Sequence, residues 1–115
     1  MAMSKYLNKK TTVGGETFDS KKEAQRWAEL KLLERAGEIC ELKRQVPFVL
    51  LPTQRDEDGK LLEKEVKYYA DFTYRDRRTY KLTVEDVKSP ATKTDVYRLK
   101  KKLLLYRLGL QIHEV

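Results

Sequence analysis

Two strand-like runs joined by a short charged turn constrain the fold of this chain more than any other feature. The first run extends from Val66 to Tyr74 and the second from Tyr80 to Lys88, with the charged residues 75–78 between them. A connection this short suits an antiparallel pair of strands. We therefore expect the two runs to be neighbours in one sheet.

Charged side chains lie inside this expected strand pair. Asp71 interrupts the apolar first run, and the second run ends with Asp86-Val87-Lys88. Side chains two residues apart on a strand share a face, so Asp86 and Lys88 project together while Glu85 projects to the other side. If the runs pair antiparallel, the two aspartates converge near one end of the sheet.

Two converging carboxylates and a lysine suit metal-assisted hydrolysis of phosphodiester bonds. Neighbouring carboxylates repel, so they favour either a divalent cation or a raised pKa. Oxygen ligands select Mg²⁺ or Mn²⁺, which would polarise a phosphate and generate hydroxide from bound water. Lys88 would orient that water or stabilise the charged transition state. The alternative is a solvated Asp–Lys pair, because Asp-x-Lys is common by chance.

A helix predicted from Ser20 to Ala36 offers a third carboxylate. Helical spacing places Glu23 in the apolar sector of this helix, facing the sheet at its first turn. Ser20 and Glu23 also have the spacing of a capping box, which alone would explain the glutamate. Both interpretations can hold together. Glu29 and Glu34 are the fallback carboxylates.

A second helix is predicted from about Thr94 to Leu108. Its apolar residues form two stripes, one of Val96, Leu99, Leu103 and Tyr106 and the other of Tyr97, Leu104 and Leu108. Lys100 projects between the stripes, where it either reaches the aspartate site or extends its ammonium to water. The remaining basic residues form a solvated face or a phosphate-contacting one: Lys93, Arg98, Lys101 and Lys102.

The other segments complete one α/β domain over residues 11–115, behind a basic, partly ordered arm over residues 1–10. Gly14-Gly15 predicts an N-terminal hairpin over residues 11–18. Residues 39–51 are extended, and Pro47 indicates an edge strand or a break. Residues 52–65 are polar with a turn at Asp58-Gly59, and residues 111–115 predict a short last strand. The element order predicts a mixed sheet.

Composition favours a polyanionic partner. The net charge is +7 and the isoelectric point is near 9.5, which favours nucleic acid first, an anionic membrane surface second and no such partner third. A single cysteine, Cys40, excludes an internal disulfide, and one Cys with one His argues against a zinc finger. The sequence has no membrane-spanning run and no signal core, so we expect a cytoplasmic protein.

Taken in order, these residues resemble the motifs of the PD-(D/E)XK nuclease superfamily. The superfamily carries a glutamate on its first helix, an aspartate on its second strand and Asp/Glu-x-Lys on its third, which match Glu23, Asp71 and Asp86-Val87-Lys88. A lysine on the following helix often assists, and Lys100 has that place. The resemblance implies a restriction-endonuclease-like core of helix, three strands, helix and strand. Ala70 stands where the superfamily name has proline, a position where proline is often absent.

More narrowly, the chain is similar to a family of small phage and prophage proteins labelled as a domain of unknown function. The similarity covers nearly all of the chain after the arm and rests on five strings: 18–24, 30–37, 69–74, 84–88 and 94–100. Proteins of this kind are likened to Holliday-junction resolvases. The similarity implies an Mg²⁺- or Mn²⁺-dependent endodeoxyribonuclease in a bacterial host, acting on branched or duplex DNA as a homodimer.

Two other functions stay open on the same sequence. The run Lys100-Lys101-Lys102 and the basic arm also suit a non-catalytic nucleic-acid-binding or phage-assembly protein on the same fold. An interaction protein with no nucleic-acid role is the third possibility. It would need a separate structural reason for each of the four ionisable residues in the expected site.

Overall fold

The computed structural model describes residues 10–115, so the predicted arm lies outside the described part except for Lys10. The elements follow the chain as β1 (Thr11–Val13), β2 (Glu16–Phe18), α1 (Lys21–Arg35), β3 (Ile39–Leu51), β4 (Gln54–Arg55), β5 (Leu61–Glu63), β6 (Val66–Asp76), β7 (Leu82–Asp86), α2 (Asp95–Leu108) and β8 (Ile112–Glu114). The chain is therefore an α/β protein.

A mixed four-stranded sheet forms the centre of the molecule. Its strand order is β3-β6-β7-β8, with β3 antiparallel to β6, β6 antiparallel to β7 and β7 parallel to β8. The expected antiparallel pairing of the two strand-like runs is confirmed, with Thr73 opposite Val84. Pro47 lies in β3, an edge strand of the sheet, which is one of the two predicted alternatives. Proline has no N–H to donate, and an edge strand can lack this donor without interrupting the hydrogen bonds between central strands.

Local signals located both helices correctly. Ser20 caps α1, with its Oγ accepting the N–H of Glu23 at 3.1 Å, and Gly37 follows the helix with a φ of 78°. Thr94 caps α2 in the same way, and Gly109 ends it in the left-handed region. Such caps satisfy backbone groups that a helix leaves unpaired at its ends. Neither helix is long and apolar enough to cross a membrane.

The strand ends differ from the predictions. β7 spans only Leu82–Asp86, shorter than the predicted 80–88, because Tyr80 has a φ of 62° and belongs to the turn. Asp76 holds this turn, accepting the N–H groups of Arg78 and Thr79 through its Oδ1. The polar segment 52–65 contains a small β4–β5 hairpin that was not predicted beyond its turn. The predicted N-terminal hairpin forms as β1–β2.

Two apolar clusters form the core, one under each helix. The α1 cluster contains Leu30, Ile39 and Phe72. The α2 cluster contains Leu50, Tyr68, Ala70, Val84, Tyr97, Leu104 and Ile112. Neighbouring residues of β7 point to opposite helices, since Val84 is in the α2 cluster while Glu85 bonds to Arg26 of α1. The helices therefore cover opposite faces of the sheet at β7.

The central strands change faces at the level of Gln45 and Asp71. On β6, Ala70 packs in the α2 cluster but Phe72 packs in the α1 cluster. Alternate residues of a regular strand would share one face. On β3, Arg44 pairs with Phe72 and Val46 pairs with Ala70, so Gln45 lies opposite Asp71. Gln45 has a φ of 50°. This irregularity places Asp71 at a break in the sheet and not within a regular ladder.

Candidate active site

Asp71 and Asp86 face each other where β6 and β7 stop pairing. The last paired residues are Phe72 and Glu85, so the two aspartates would form the next pair. Instead, the N–H of Asp71 donates to Oδ1 of Asp86 at 3.0 Å, and the N–H of Val87 donates to Oδ2 of Asp71 at 2.9 Å. The structure thus brings together the two aspartates that the sequence singled out.

Lys88 lies just beyond β7 and contacts Asp86, as the strand spacing predicted. Its Nζ is 3.5 Å from Oδ2 of Asp86 and 4.3 Å from the ring centroid of Tyr97. Its backbone is also held, since its N–H donates to the carbonyl of Val115 and its carbonyl accepts from Nζ of Lys22. The ammonium is therefore fixed beside the aspartate pair.

The electrostatics of the pair disfavour two negative charges. Burial, followed by the negative charge of Asp86, raises the pKa of Asp71 to about 7, while the N–H of Val87 opposes this rise and the charge of Glu23 adds to it. Nε2 of Gln45 donates to Oδ1 of Asp71 at 3.3 Å. A charged Asp71 is therefore costly in this site, and a divalent cation would relieve that cost.

Glu23, the third predicted carboxylate, is buried at the first turn of α1. Its Oε1 lies 3.8 Å from Nη2 of Arg44 and has no hydrogen-bond partner. Burial and the charge of Asp19 raise the pKa of Glu23, Arg44 lowers it, and Asp86 adds a smaller rise. The Ser20 half of the capping box forms, but no reciprocal bond from Glu23 does within the described residues. The glutamate thus keeps one oxygen without a hydrogen bond, beside Arg44.

Three polar residues around the pair escaped the sequence analysis: Arg44, Gln45 and Tyr68. The hydroxyl of Tyr68 is buried beside the carboxylate of Asp86 without a well-formed hydrogen bond, and burial followed by the charge of Asp86 raises its pKa. The sequence Tyr68-Tyr69-Ala70 does not indicate which tyrosine is buried, and the structure buries Tyr68 while exposing Tyr69. Nothing local in the sequence indicates the positive φ of Gln45.

Glu85 points away from the pair, as predicted, and is fully buried against α1. Arg26 donates to both of its carboxylate oxygens at 2.8 and 2.7 Å, and the hydroxyl of Tyr74 also donates to Glu85. Burial and this bond raise the pKa of Tyr74 to about 12. The network joins α1 to β7 one residue from Asp86, so it fixes the distance between the helix of Glu23 and the strand of Asp86.

Two of the predicted DNA-contacting lysines share one carboxylate. Nζ of Lys93 is 3.2 Å from Oε1 of Glu114, and Nζ of Lys101 is 3.4 Å from its Oε2. The hydroxyl of Tyr97 donates to Oε2 of Glu114 at 2.6 Å. This bond, with the two lysines, lowers the pKa of Glu114 to about 2. Glu114 therefore competes with any phosphate for these lysines.

The other basic residues of α2 lie apart from the aspartates. Arg98 pairs with Asp95 on the surface at 3.2 Å, and Lys102 is exposed. Lys100 is half-buried and forms no ion pair or hydrogen bond with any residue of 10–115. The structure thus brings Lys88, and not Lys100, into contact with the pair.

A cavity of about 280 Å³ with charges of both signs adjoins the end of β7 on its α1 side. It is lined by Lys22, Gln25, Arg26, Glu29, Val87 and Val115. Lys22 reaches from this cavity to the carbonyl of Lys88 at 3.2 Å. The cavity therefore adjoins the backbone of Lys88, while its ammonium lies toward Asp86 and Tyr97.

The chemistry of the carboxylates fits Mg²⁺ or Mn²⁺, although the site is not arranged as a closed cage. Within residues 10–115, no group of three or more Asp, Glu, His or Cys side chains stands ready to hold a metal. Asp71 and Asp86 supply converging hard oxygens, and Oε1 of Glu23, which lies 3.8 Å from Arg44, is the candidate third. These three residues would hold the ion.

Comparison with known proteins identifies a family but no activity. A family described as "Protein of unknown function (DUF1064)" matches residues 3–113, nearly the whole chain. Neither the search of curated proteins nor the search of solved structures gave a match.

Proposed function

This chain belongs to the DUF1064 family, whose function is unknown, and we propose that it is a metal-dependent DNA endonuclease that hydrolyses phosphodiester bonds. In this proposal the α/β core is of the restriction-endonuclease, PD-(D/E)XK type. Its substrate is branched or duplex DNA, cut in the structure-selective manner of a Holliday-junction resolvase during the life of a phage or prophage.

The opposed aspartates with their lysine carry the proposal. Asp71 and Asp86 are held to each other's strand, and Lys88 contacts Asp86 at 3.5 Å. Strand pairing needs no carboxylate at this position, and burying two of them raises the free energy of the folded state. A site that keeps such a pair next to a fixed ammonium is suited to binding a cation and a phosphate together.

Each residue has a distinct role in the proposed reaction. Asp71 and Asp86, with Glu23, would hold Mg²⁺ or Mn²⁺, which when bound polarises the phosphate and lowers the pKa of a water. Lys88 would donate from Nζ to the attacking water or to a phosphate oxygen and offset developing negative charge. The network of Arg26 and Glu85 would keep the helix of Glu23 in place. Lys100 has no role in this proposal, since it does not contact the pair.

Cationic surface beside the site supports DNA as the substrate. Lys22 lies at the carbonyl of Lys88, and the whole chain carries a net charge of +7. Phosphate contacts from such residues supply most of the non-specific affinity of proteins for DNA. They position the backbone and do not select its sequence, which is consistent with selection by DNA structure.

The decisive experiment is a cleavage assay on end-labelled four-way junction, flap and duplex DNA with Mg²⁺, Mn²⁺ or EDTA. We expect metal-dependent cleavage by the wild type and a loss of at least about 100-fold in Asp86→Asn and Lys88→Met. Asp58→Asn, a change of an exposed aspartate in the β4–β5 turn, is the matched control and should cut normally. Equal cutting by wild type and Asp86→Asn would show a contaminating nuclease and contradict the proposal.

One observation favours a second function, non-catalytic nucleic-acid binding on the same fold. All four oxygens of the aspartate pair already contact protein groups, from Gln45, Val87, the N–H of Asp71 and Lys88. A Mn²⁺ titration separates the two functions. A catalytic site binds Mn²⁺ in the low-millimolar range or tighter and loses it in Asp71→Asn with Asp86→Asn, whereas salt-sensitive DNA binding without Mn²⁺ binding supports the second function.

A further inference from the structure

A stripe of apolar side chains along α2 lies open to solvent. Val96, Leu99 and Tyr106 are 63%, 58% and 84% exposed, and Leu103, between Leu99 and Val96 around the helix, is half-buried against the α2 cluster. The helix meets the sheet through a different face, that of Tyr97 and Leu104. Apolar patches of roughly 300 to 600 Å² on monomeric proteins are often functional, and three large side chains exposed to this degree make a patch of that order.

The spacing of the stripe is that of a helix which pairs with another helix. At 100° per residue, Val96, Leu99, Leu103 and Tyr106 fall within a sector of about 80°. Their intervals of three, four and three residues match the a and d positions of a heptad, whose side chains form the seam between paired helices. The surface is also convex, so it suits a helix laid along it better than a small ligand.

The rim of the stripe is cationic and unpaired. Lys100 and Arg107 border it on one side and Lys102 on the other. None of the three forms an ion pair with any residue in the described part of the chain. The nearest acidic side chain on the helix, Asp95, is paired with Arg98. A partner that covers the stripe therefore meets positive charge on both flanks.

We propose that this face of α2, the stripe with its cationic rim, docks an acidic amphipathic helix of a partner protein. The partner would place apolar residues on Val96, Leu99 and Tyr106 and glutamate or aspartate beside Lys100, Lys102 and Arg107. A second copy of this chain is a poorer occupant, because each copy would bring the same three cations to the seam and a net charge of +7. The inference is independent of the proposed nuclease function.

The test uses a three-heptad peptide with Leu at a and d and Glu at e and g, labelled for fluorescence anisotropy. A matched peptide carries Lys at e and g. We expect the acidic peptide to bind with a Kd of about 1 to 50 µM and the basic peptide not to bind. In Leu99→Ser with Tyr106→Ser the affinity should fall at least about tenfold. In Lys102→Glu with Arg107→Glu the preference should reverse toward the basic peptide.

Leu62→Ser is the matched control, because Leu62 of β5 is as exposed as Leu99 at 58%. It should bind the acidic peptide like the wild type, and thermal melts should show that every variant is folded. Equal binding of both peptides, or no binding of either, overturns the proposal. So does a dimer in sedimentation that the Leu99 and Tyr106 changes dissolve, since a second copy then occupies the face. Stripe-dependent binding to anionic vesicles without peptide binding overturns it as well.

Discussion

Asp71 donates its backbone N–H to the side chain of Asp86, in the place where the ladder of β6 and β7 would continue. Val87 donates its own N–H to Asp71 in return. Each carboxylate is therefore anchored by a backbone group near its partner, and the separation of the two is set by the strands and not by side-chain rotamers. Such anchoring keeps two repelling groups together in the absence of a cation.

The pH dependence of stability tests this repulsion. The pKa of Asp71 is raised from its ordinary value of 3.8 to about 7 in the folded state, so the folded state binds more protons than the unfolded state between these values. Stability is therefore lost as the pH rises through this window. Asp71→Asn removes the charge, and we expect it to be more stable than the wild type by about 1 to 3 kcal/mol at pH 8 in EDTA.

Urea unfolding at pH 8 and pH 5 measures this effect. The advantage of Asp71→Asn should shrink at pH 5, where the wild-type carboxyl is mostly protonated in the fold. Asp58→Asn, which changes an exposed aspartate, should show no such difference. An equal advantage at both pH values would contradict the assignment, as would a less stable Asp71→Asn at pH 8.

Removing one partner of the buried pair of Arg26 and Glu85 should destabilise the protein more than removing both. Arg26→Met leaves the Glu85 carboxylate buried with Tyr74 as its remaining partner, and we expect it to lower the free energy of unfolding by about 3 to 5 kcal/mol. Glu85→Met together with Arg26→Met should regain most of that loss. Glu29→Gln, which removes the exposed partner of Arg26, should cost less than about 1 kcal/mol. A double variant as unstable as Arg26→Met would count against a desolvated ion pair.

Tyr68 and Tyr74 allow a comparison of how much stability is lost when a tyrosine hydroxyl is removed. The Tyr68 hydroxyl lies beside Asp86 without a well-formed hydrogen bond, so Tyr68→Phe should change the free energy of unfolding by less than about 1 kcal/mol. The Tyr74 hydroxyl donates to Glu85, so Tyr74→Phe should destabilise by about 1 to 3 kcal/mol. Chemical denaturation of both variants gives the comparison. The reverse order would mean that Tyr68 has a protein partner after all.

Glu114 should weaken DNA binding by holding Lys93 and Lys101. Glu114→Gln removes the competing charge, so we expect tighter DNA binding, several-fold at low salt, with a steeper dependence on salt concentration. Fluorescence anisotropy with duplex DNA at several salt concentrations measures both quantities. Glu63→Gln, a change of an exposed glutamate on β5, is the control. Unchanged binding by Glu114→Gln would show that these two lysines do not contact DNA.

Short-range patterns were enough to predict the parts of the site that lie on one element. The alternation of side chains along a strand placed Glu85 and Asp86 on opposite faces, and the caps at Ser20 and Thr94 located both helix starts. The short connection between β6 and β7 brought Asp71 opposite Asp86. Each of these inferences depends on residues that are close in the sequence or joined by one turn.

Contacts between distant elements were beyond such patterns. Helical spacing gave α2 two apolar stripes of equal standing, and only the packing against the sheet shows that Tyr97 and Leu104 are inside while Val96 and Leu99 are outside. Lys100 lies between those stripes, so whether it reaches the site depends on which stripe packs against the sheet. The ion pair between Arg26 and Glu85 likewise joins residues that are 59 positions apart in the sequence.

The last strand has a consequence for the order of folding. The N–H of Val115 donates to the carbonyl of Asp86, and the N–H of Lys88 donates to the carbonyl of Val115, so both sides of Val87 are held by residues that follow α2. Contacts that close such a long loop form late, because chain entropy opposes them first. A nascent chain would therefore set the final backbone of Asp86 and Lys88 only after residue 115 had left the ribosome.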